Sequence, residues 1–209
     1  MALLQFFQSL FRRGTPPGNA DVLFFGLGNR GSRYALSRHN IGFRIADALA
    51  KRLENRTDNW GCFAEAVYLR GTLFEPGKKV AVVKPHTFMN RSGDAVANYL
   101  ALCRCPASNA LVLVDDYNLP LGTLRARRNG SDGGHNGLKS IIGRIGGNFP
   151  RIRIGIGPAP HGEAAMDFVL GSFTEAEEQV IKTVLPRAVD ACLLFAKDGI
   201  DAVMNNFNS

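Results

Sequence analysis

Apolar runs of strand length alternate along this chain with segments that have a helical period. Residues 21–27 (DVLFFGL) form a short apolar run that leads into Gly28, as a buried strand feeding a loop does. The next segment repeats its large apolar residues at every fourth position. This spacing gives a helix one apolar face, which carries Ile41, Ile45, Leu49 and Leu53.

The rest of the chain continues the same alternation. Strands are predicted at residues 63–73, 80–83, 111–114 and 151–156, with an extended segment at 121–126. Helices are predicted at residues 94–102, 138–145 and 175–195. We therefore predict an α/β fold, a single-domain α/β/α sandwich around a mixed, mostly parallel twisted sheet, with antiparallel pieces around 63–83. The 151–156 strand alternates arginine with isoleucine, so one of its faces should be wet.

Length and composition predict one domain with an appendage. In a chain of 209 residues, we take 20–209 as the domain and 1–19 as an extension that is flexible or a short helix. The charges of the extension follow its apolar part, which makes a poor secretory signal; an organelle presequence or a membrane-surface anchor is the less favoured alternative. No apolar run has the length of a membrane span. The four cysteines form no Cys-x-x-Cys pair and are expected to be reduced thiols in a cytoplasmic protein.

Positive charge is concentrated in residues 125–153, which we call the basic segment. It holds seven Lys or Arg against one acid, Asp132, and so carries +6 of the net +7 of the chain. At its centre lies a glycine-rich turn with His135 and Asn136. A basic surface around a loop that exposes its backbone suits a polyanion that approaches closely.

Two residues that are far apart in the chain form a candidate catalytic pair. His39 lies at the start of the first predicted helix, whose partial positive charge should keep the ring neutral and available as a general base. Asp115 follows an apolar strand and would orient that ring and stabilise it once protonated. The alternatives are a capping or surface histidine and an acid that merely caps the following turn, with Asp116 as a reserve candidate.

Three asparagines follow predicted strands or turns. Asn90 could polarise a scissile carbonyl or anchor a peptide group, and it could equally cap the helix that begins near Ser92. Asn29 and Asn136 adjoin glycine and fit the same binding role or an ordinary turn.

Other chemistries find little support in the sequence. It contains no Gly-x-Ser-x-Gly elbow, no His-Glu-x-x-His and no carboxylate cluster with metal spacing, so no metal is predicted. Residues 26–31 match the Gly-x-Gly-x-x-Gly dinucleotide fingerprint formally, but the helix and the acidic residue that should follow are missing.

Taken together, five ordered motifs resemble the bacterial-type peptidyl-tRNA hydrolases over residues 21–205. They are FGLGNRGSRYALSRHNIGF (25–43), KPHTFMNRSGDAV (84–96), VDDYNLPLG (114–122), GSDGGHNGLKSII (130–142) and FPRIRIGIG (149–157). The resemblance implies hydrolysis of the ester between a peptide and the terminal ribose of tRNA, which recycles tRNA after premature release from the ribosome. It also implies a single α/β/α domain without a metal or organic cofactor.

Carried over to this sequence, the resemblance implies catalytic roles for His39, Asp115, Asn90, Asn29 and Asn136. It implies that Arg125, Arg127 and Arg153 hold phosphates of the acceptor stem. We also assign substrate or tRNA binding to Tyr34, Phe88, Asn90, Gly133, His135, Asn136 and Lys139. The partner is peptidyl-tRNA, bound at its acceptor stem and CCA end, and the enzyme is expected to be a monomer without a membrane span.

Two departures from the family pattern and two rival functions remain open. Arg30 stands where the family usually has proline, and Asn118 replaces an aspartate before Leu-Pro. The scaffold could instead be an RNA-binding module that has lost activity, or a small-molecule hydrolase or nucleotide-binding protein. Residues 158–165 are predicted to form a mobile lid in which His161 is a surface residue.

Overall fold

A mixed sheet of seven strands forms the centre of the molecule. The computed structural model describes residues 17–54, 60–63, 65–74, 77–159 and 164–208. The strands are β1 (Val22–Gly26), β2 (Gly61–Phe63), β3 (Ala66–Leu73), β4 (Lys78–Pro85), β5 (Ala110–Pro120), β6 (Leu124–Arg127) and β7 (Arg151–Gly157). The helices are α1 (Ile41–Ala50), α2 (Ser92–Leu102), α3 (Asn136–Ile145), α4 (Ala165–Leu170) and α5 (Glu175–Phe207).

The strands lie in the order β2-β3-β4-β1-β5-β7-β6. The central strands β4, β1, β5 and β7 are parallel to one another, while β3 and β6 run antiparallel to their neighbours. The predicted mixed α/β sheet, with antiparallel strands before residue 83, is therefore confirmed. Because β1 and β5 are adjacent and parallel, the loops that follow β1, β4 and β5 open at the same edge of the sheet.

Both faces of the central strands are buried, which makes the fold three-layered. In β1, Val22 and Phe24 belong to one core cluster together with residues of α1 and α5. Leu23 and Phe25 belong to the other cluster, with residues of α2 and α3. Each strand residue thus removes its side chain from water against a helix, which is why these strands read as continuous apolar runs.

Helix α1 lies very close to the strands beneath it. Its predicted apolar face is buried, with Ile41, Ile45 and Leu49 at 0% exposure. A Cβ built on Gly42 would lie 2.5 Å from the carbonyl oxygen of Leu113. Glycine at this position therefore lets the first turn of α1 approach β5, and that approach fixes the residues just before the helix.

Several boundaries differ from the sequence-based prediction. Residues 63–73 belong to two strands, β2 and β3, instead of one. Strand β5 continues to Pro120, so Asp115 and Asp116 lie within it and not after it. Helix α5 runs twelve residues beyond 195, to Phe207, with a break at Gly199.

The predicted wet face of the 151–156 strand is wrong. Arg151 is fully buried, because β7 is flanked by strands on both edges and covered on both faces. Its guanidinium donates to the carbonyl oxygens of Phe149 at 3.1 Å, Gly130 at 2.7 Å and Gly147 at 2.8 Å. A buried arginine whose donors are satisfied in this way produces the same alternating pattern as a solvent-exposed one.

Both chain termini and four internal segments lie partly or wholly outside the described residues. Residues 1–16 lie outside the described residues, so the prediction for the extension 1–19 stays a prediction. Pro17 accepts a hydrogen bond of 3.0 Å from Arg70, which ties the start of the domain to β3. Residues 160–163, including His161 of the predicted lid, also lie outside the described residues. None of the helices in the described ranges combines the length and the apolar character that a membrane span requires.

Candidate active site

His39 and Asp115 are in direct contact, although 76 residues separate them in the chain. The Nδ1 of His39 lies 2.8 Å from Oδ1 and 2.9 Å from Oδ2 of Asp115. His39 belongs to a 3-10 turn, Arg38–Asn40, which precedes α1, and Asp115 lies on β5. Since Nδ1–H donates to the carboxylate, Nε2 of His39 carries the free lone pair of a general base.

The electrostatics of this pair follow from burial and contact. Burial by itself lowers the pKa of His39, but the charge of Asp115 and the hydrogen bond to it outweigh burial and raise the pKa above its ordinary value. The charge of this carboxylate therefore acts on the pKa of His39 in the opposite direction to the end of the following helix, and the direct contact outweighs the helix end. Burial raises the pKa of Asp115, while both His39 and His135 lower it to well below its usual range.

His135 holds the same carboxylate from the other side. Its Nε2 lies 3.1 Å from Oδ1 of Asp115, and its ring centroid lies 5.0 Å from that of His39. Its Nδ1 accepts the backbone N–H groups of Gly137 and Leu138 and so caps α3. Because Nδ1 is an acceptor there, the ring proton must lie on Nε2, where it donates to Asp115.

The two histidines and Asp115 are also the group that a metal ion could use. Their candidate ligand atoms all lie within 4.8 Å of one another. A metal on Nε2 of His135 would, however, leave that ring without a proton on either nitrogen, since Nδ1 accepts two backbone N–H groups. This cluster therefore fits a hydrogen-bonded network around a carboxylate better than a metal centre.

Asn29 is fixed by the loops on either side of it. Its Oδ1 accepts the backbone N–H of Met89 at 3.0 Å. Asn40 accepts the N–H of Asn29 at 2.8 Å and donates its own amide to the carbonyl of Asn29 at 3.0 Å. Asn40 directly follows His39 and is not among the site residues predicted from the sequence. Within the described residues, the side-chain Nδ2 of Asn29 makes no hydrogen bond, so it is available to a ligand.

A pocket of about 430 Å³ brings most of the predicted site together. Asn90 and Asn136 are exposed, and the predicted helix-cap role of Asn90 is not realised, because Arg91 precedes α2 instead. The pocket combines these amides and the histidines with apolar side chains, as a site for a mixed ligand does. Of the predicted residues, the lining includes Asn29, Tyr34, His39, Phe88, Asn90, Asp115, Gly133, His135, Asn136 and Arg153.

A row of arginines continues from this pocket. We call Arg125, Arg127 and Arg153 the arginine strip; with Arg151 they line a neighbouring cavity of about 260 Å³. Arg153 lines both cavities and pairs with Asp116 at 3.0 Å. Gly133 has a φ of +59°, and a Cβ there would lie 2.6 Å from the guanidinium of Arg153. Lys139 lies on α3 and lines neither cavity.

Comparison with known proteins identifies the family. The family model described as peptidyl-tRNA hydrolase matches residues 23–209 of this chain. The chain belongs to this family. The peptidyl-tRNA hydrolase of Fervidobacterium nodosum is 41% identical over 188 residues, covering 90% of this chain and 96% of the relative. That of Geobacillus kaustophilus is 43% identical, covering 89% and 98%.

Solved structures agree with this placement. The crystal structure of peptidyl-tRNA hydrolase from Acinetobacter baumannii is 31% identical, with a TM-score of 0.82 over 91% of this chain and 96% of that one. A complex of peptidyl-tRNA hydrolase with n-propanol is 32% identical and also has a TM-score of 0.82. The family resemblance stated from the sequence motifs is confirmed, and with it the hydrolase activity on an ester of tRNA.

In this member of the family, Arg38 anchors the turn that carries His39. Its guanidinium donates to Glu177 at 2.9 Å and to the carbonyl of Phe168 at 3.3 Å. It also lies over the ring of Phe168, 4.4 Å from the centroid. Arg38 is not among the site residues predicted from the sequence, where its place next to His39 is its only indication. Through it, α4, which lines the pocket, and the start of α5 are tied to the catalytic turn.

Proposed function

We propose that this chain hydrolyses peptidyl-tRNA through His39 and Asp115, with the tRNA end lying along the arginine strip. The observation that carries the proposal is the contact between His39 and Asp115 in a pocket that shares Arg153 with the strip. A general base beside a basic surface that binds a polyanion suits an ester whose alcohol is the ribose of an RNA.

The reaction needs two proton transfers, one from water to His39 and one from His39 to the leaving group. Nε2 of His39 takes a proton from water, and the water oxygen forms a bond to the ester carbonyl carbon. Asp115 stabilises the resulting imidazolium. The bond between that carbon and the ribose oxygen then breaks, and the proton passes from His39 to the ribose oxygen. The products are a free peptide acid and tRNA; a ribose hydroxyl is a good enough leaving group that no covalent intermediate is required.

The asparagines supply neutral donors around this reaction. The free amide of Asn29 and the exposed amide of Asn90 bind the end of the peptide or the developing oxyanion. Asn136, at the first turn of α3, helps to place the attacking water. Support for the role of Asn29 comes from its fixed carbonyl oxygen, which leaves only the N–H₂ group facing a ligand.

Affinity for the nucleic acid comes from the arginine strip. The exposed Arg125 and Arg127 bind phosphates of the acceptor stem, while the CCA end reaches the pocket past Arg153. Arginine contacts to phosphates read no bases, which suits an enzyme that serves many tRNAs. The proposal includes a monomer acting in the cytoplasm, where its substrate is released from ribosomes.

Replacement of the base tests the proposal. His39→Ala should lower kcat on peptidyl-tRNA by about 10²–10⁴, the usual contribution of a general base, while its affinity for tRNA is retained. Normal turnover by His39→Ala would contradict the mechanism. If the chain were an RNA-binding module without activity, the wild-type protein would bind tRNA but would not cleave peptidyl-tRNA. The intact His39–Asp115 contact argues against this alternative.

A further inference from the structure

A second cavity lies on the other side of Phe88. We call it the Phe88 cavity; it measures about 280 Å³, and Arg30, Glu65, His86 and Arg91 form its charged and polar walls. Phe88 lines this cavity and the active-site pocket as well, and the residue is 53% exposed. The two spaces therefore meet at one aromatic side chain, directly beside Asn29 and Asn90.

Arg30 supplies the Phe88 cavity with a cation. Arg30 is exposed and, in the part of the chain that the structure describes, pairs with no carboxylate; its guanidinium lies 5.8 Å from the centre of the Phe88 ring. Arg91 differs, because it contacts Glu65 at 3.4 Å and Asp94 at 3.1 Å. With Arg91 balanced by these acids, Arg30 gives the cavity its excess positive charge.

The half-buried His86 is a second polar group in the wall of this cavity. Burial lowers its pKa, and the charges of Lys84 and Arg30 lower it further. At neutral pH, His86 is therefore an uncharged ring that can donate a hydrogen bond to an anion without itself requiring a counterion. The walls thus offer a fixed cation, a neutral donor and an aromatic face.

The position of the cavity indicates which part of the substrate reaches it. The arginine strip joins the pocket at Gly133 and Arg153, whereas the Phe88 cavity joins it at Phe88. A tRNA end on the strip side leaves the Phe88 side to the peptide. We propose that the Phe88 cavity is a peptide subsite that selects an acidic side chain near the ester, bound by Arg30 and His86. This inference rests on the proposed function.

Matched substrates test the preference. The substrates are peptidyl-tRNAs with the same tRNA and an N-acetylated tripeptide of alanine. In each substrate, one alanine, the second or the third residue from the ester, is replaced by Glu or by Gln. For wild type, we expect KM at one of these positions to be about two- to fivefold lower with Glu than with Gln, the range of a partly exposed charge pair. Arg30→Gln should reduce that ratio to about one, and Arg30→Lys should restore part of it.

Controls separate the subsite from other effects of charge. Arg187→Gln removes one exposed cation from α5, which lines neither cavity, and should keep the Glu preference. Equal KM values for Glu and Gln in wild type would overturn the inference. The inference would also be overturned if Arg30→Gln raised KM equally for both substrates, because Arg30 would then contact the tRNA and not the peptide. A wild-type enzyme that cleaved none of these substrates would contradict the hydrolase itself, and the subsite with it.

Discussion

His135 donates its Nε2–H to Oδ1 of Asp115 at 3.1 Å. The same ring accepts two backbone N–H groups at the start of α3, so one side chain both caps a helix and holds the catalytic carboxylate. The helix cap fixes the tautomer, and the tautomer in turn supplies the donor. We assigned His135 to substrate binding from the sequence; this contact leads us to propose that it acts on the substrate through Asp115.

Substitutions at His135 should separate its two contacts. His135→Asn can still accept from the N–H groups of α3 but no longer reaches Asp115, so we expect near-normal stability and about a tenfold loss of kcat/KM. That loss corresponds to roughly 1.4 kcal/mol, near the lower end for a hydrogen bond to a charged group. Without this donor, Asp115 acts on His39 alone, and the acid limb of the pH–rate profile should move to higher pH.

The matched variant is His135→Ala, which loses the cap as well. Its free energy of unfolding in urea should fall by about 1 kcal/mol below that of His135→Asn, the usual value of a helix N-cap. If His135→Asn retained the wild-type kcat/KM and acid limb, the ring would serve only as a cap.

Asp115→Asn should shift the pH dependence in the opposite direction. The carboxylate raises the pKa of His39, so wild-type kcat/KM should fall with decreasing pH around a midpoint above the ordinary histidine value of 6.5. A carboxamide lacks that charge, and burial alone then lowers the pKa of His39. We expect the acid limb to move to lower pH and the plateau to fall by about 10² or more, since the imidazolium loses its counter-charge.

Measurement of kcat/KM from pH 5 to 9 for wild type and Asp115→Asn checks this prediction. Asp116→Asn is the matched control, because Asp116 pairs with Arg153 and not with His39. An acid limb that stayed at the same pH in Asp115→Asn would show that the carboxylate does not set the pKa of the base.

The order of elements could be predicted from the sequence because each element has its own hydrophobic period. The apolar face of α1 follows directly from its four-residue spacing. Polar residues inside a strand defeat this reasoning: Asp115 and Asp116 end the apolar run but continue the hydrogen bonding of β5 to β7. Their side chains are satisfied by His39 and Arg153, which come from distant parts of the chain.

The pairing of His39 with Asp115 could be proposed from motifs, while the contact of His135 could not. Just before His135, the backbone of Gly133 and Gly134 is left-handed, at φ +59° and +82°. A glycine pair before a histidine predicts a turn, but the direction of the turn depends on the packing of α3. Charge counting had a similar limit, because the net charge of the basic segment includes Arg151, which is buried.

Arg151→Met should destabilise the fold without removing a tRNA contact. Its guanidinium donates to three backbone carbonyls, and an apolar side chain would remove the donor from all three, of which that of the buried Phe149 would stay unpaired. At about 1–3 kcal/mol for a buried group left unsatisfied, we expect a loss of about 1–3 kcal/mol in urea unfolding. Arg128→Gln, an exposed arginine paired with Asp201, should cost less than about 1 kcal/mol. Similar unfolding midpoints for the two variants would contradict the structural role of Arg151.

Arg127→Gln should weaken tRNA binding in a manner that depends on salt. Each phosphate contact contributes about 0.9 to the slope of log K against log salt on duplex RNA or DNA, so the loss of one contact should reduce the slope by about that amount. Because Arg127 is exposed and lies outside the pocket, kcat should stay unchanged while KM rises. Arg52→Gln, which removes an exposed charge at the end of α1, is the control and should leave the slope unaltered. Equal slopes for Arg127→Gln and wild type would mean that this part of the arginine strip does not carry the acceptor stem.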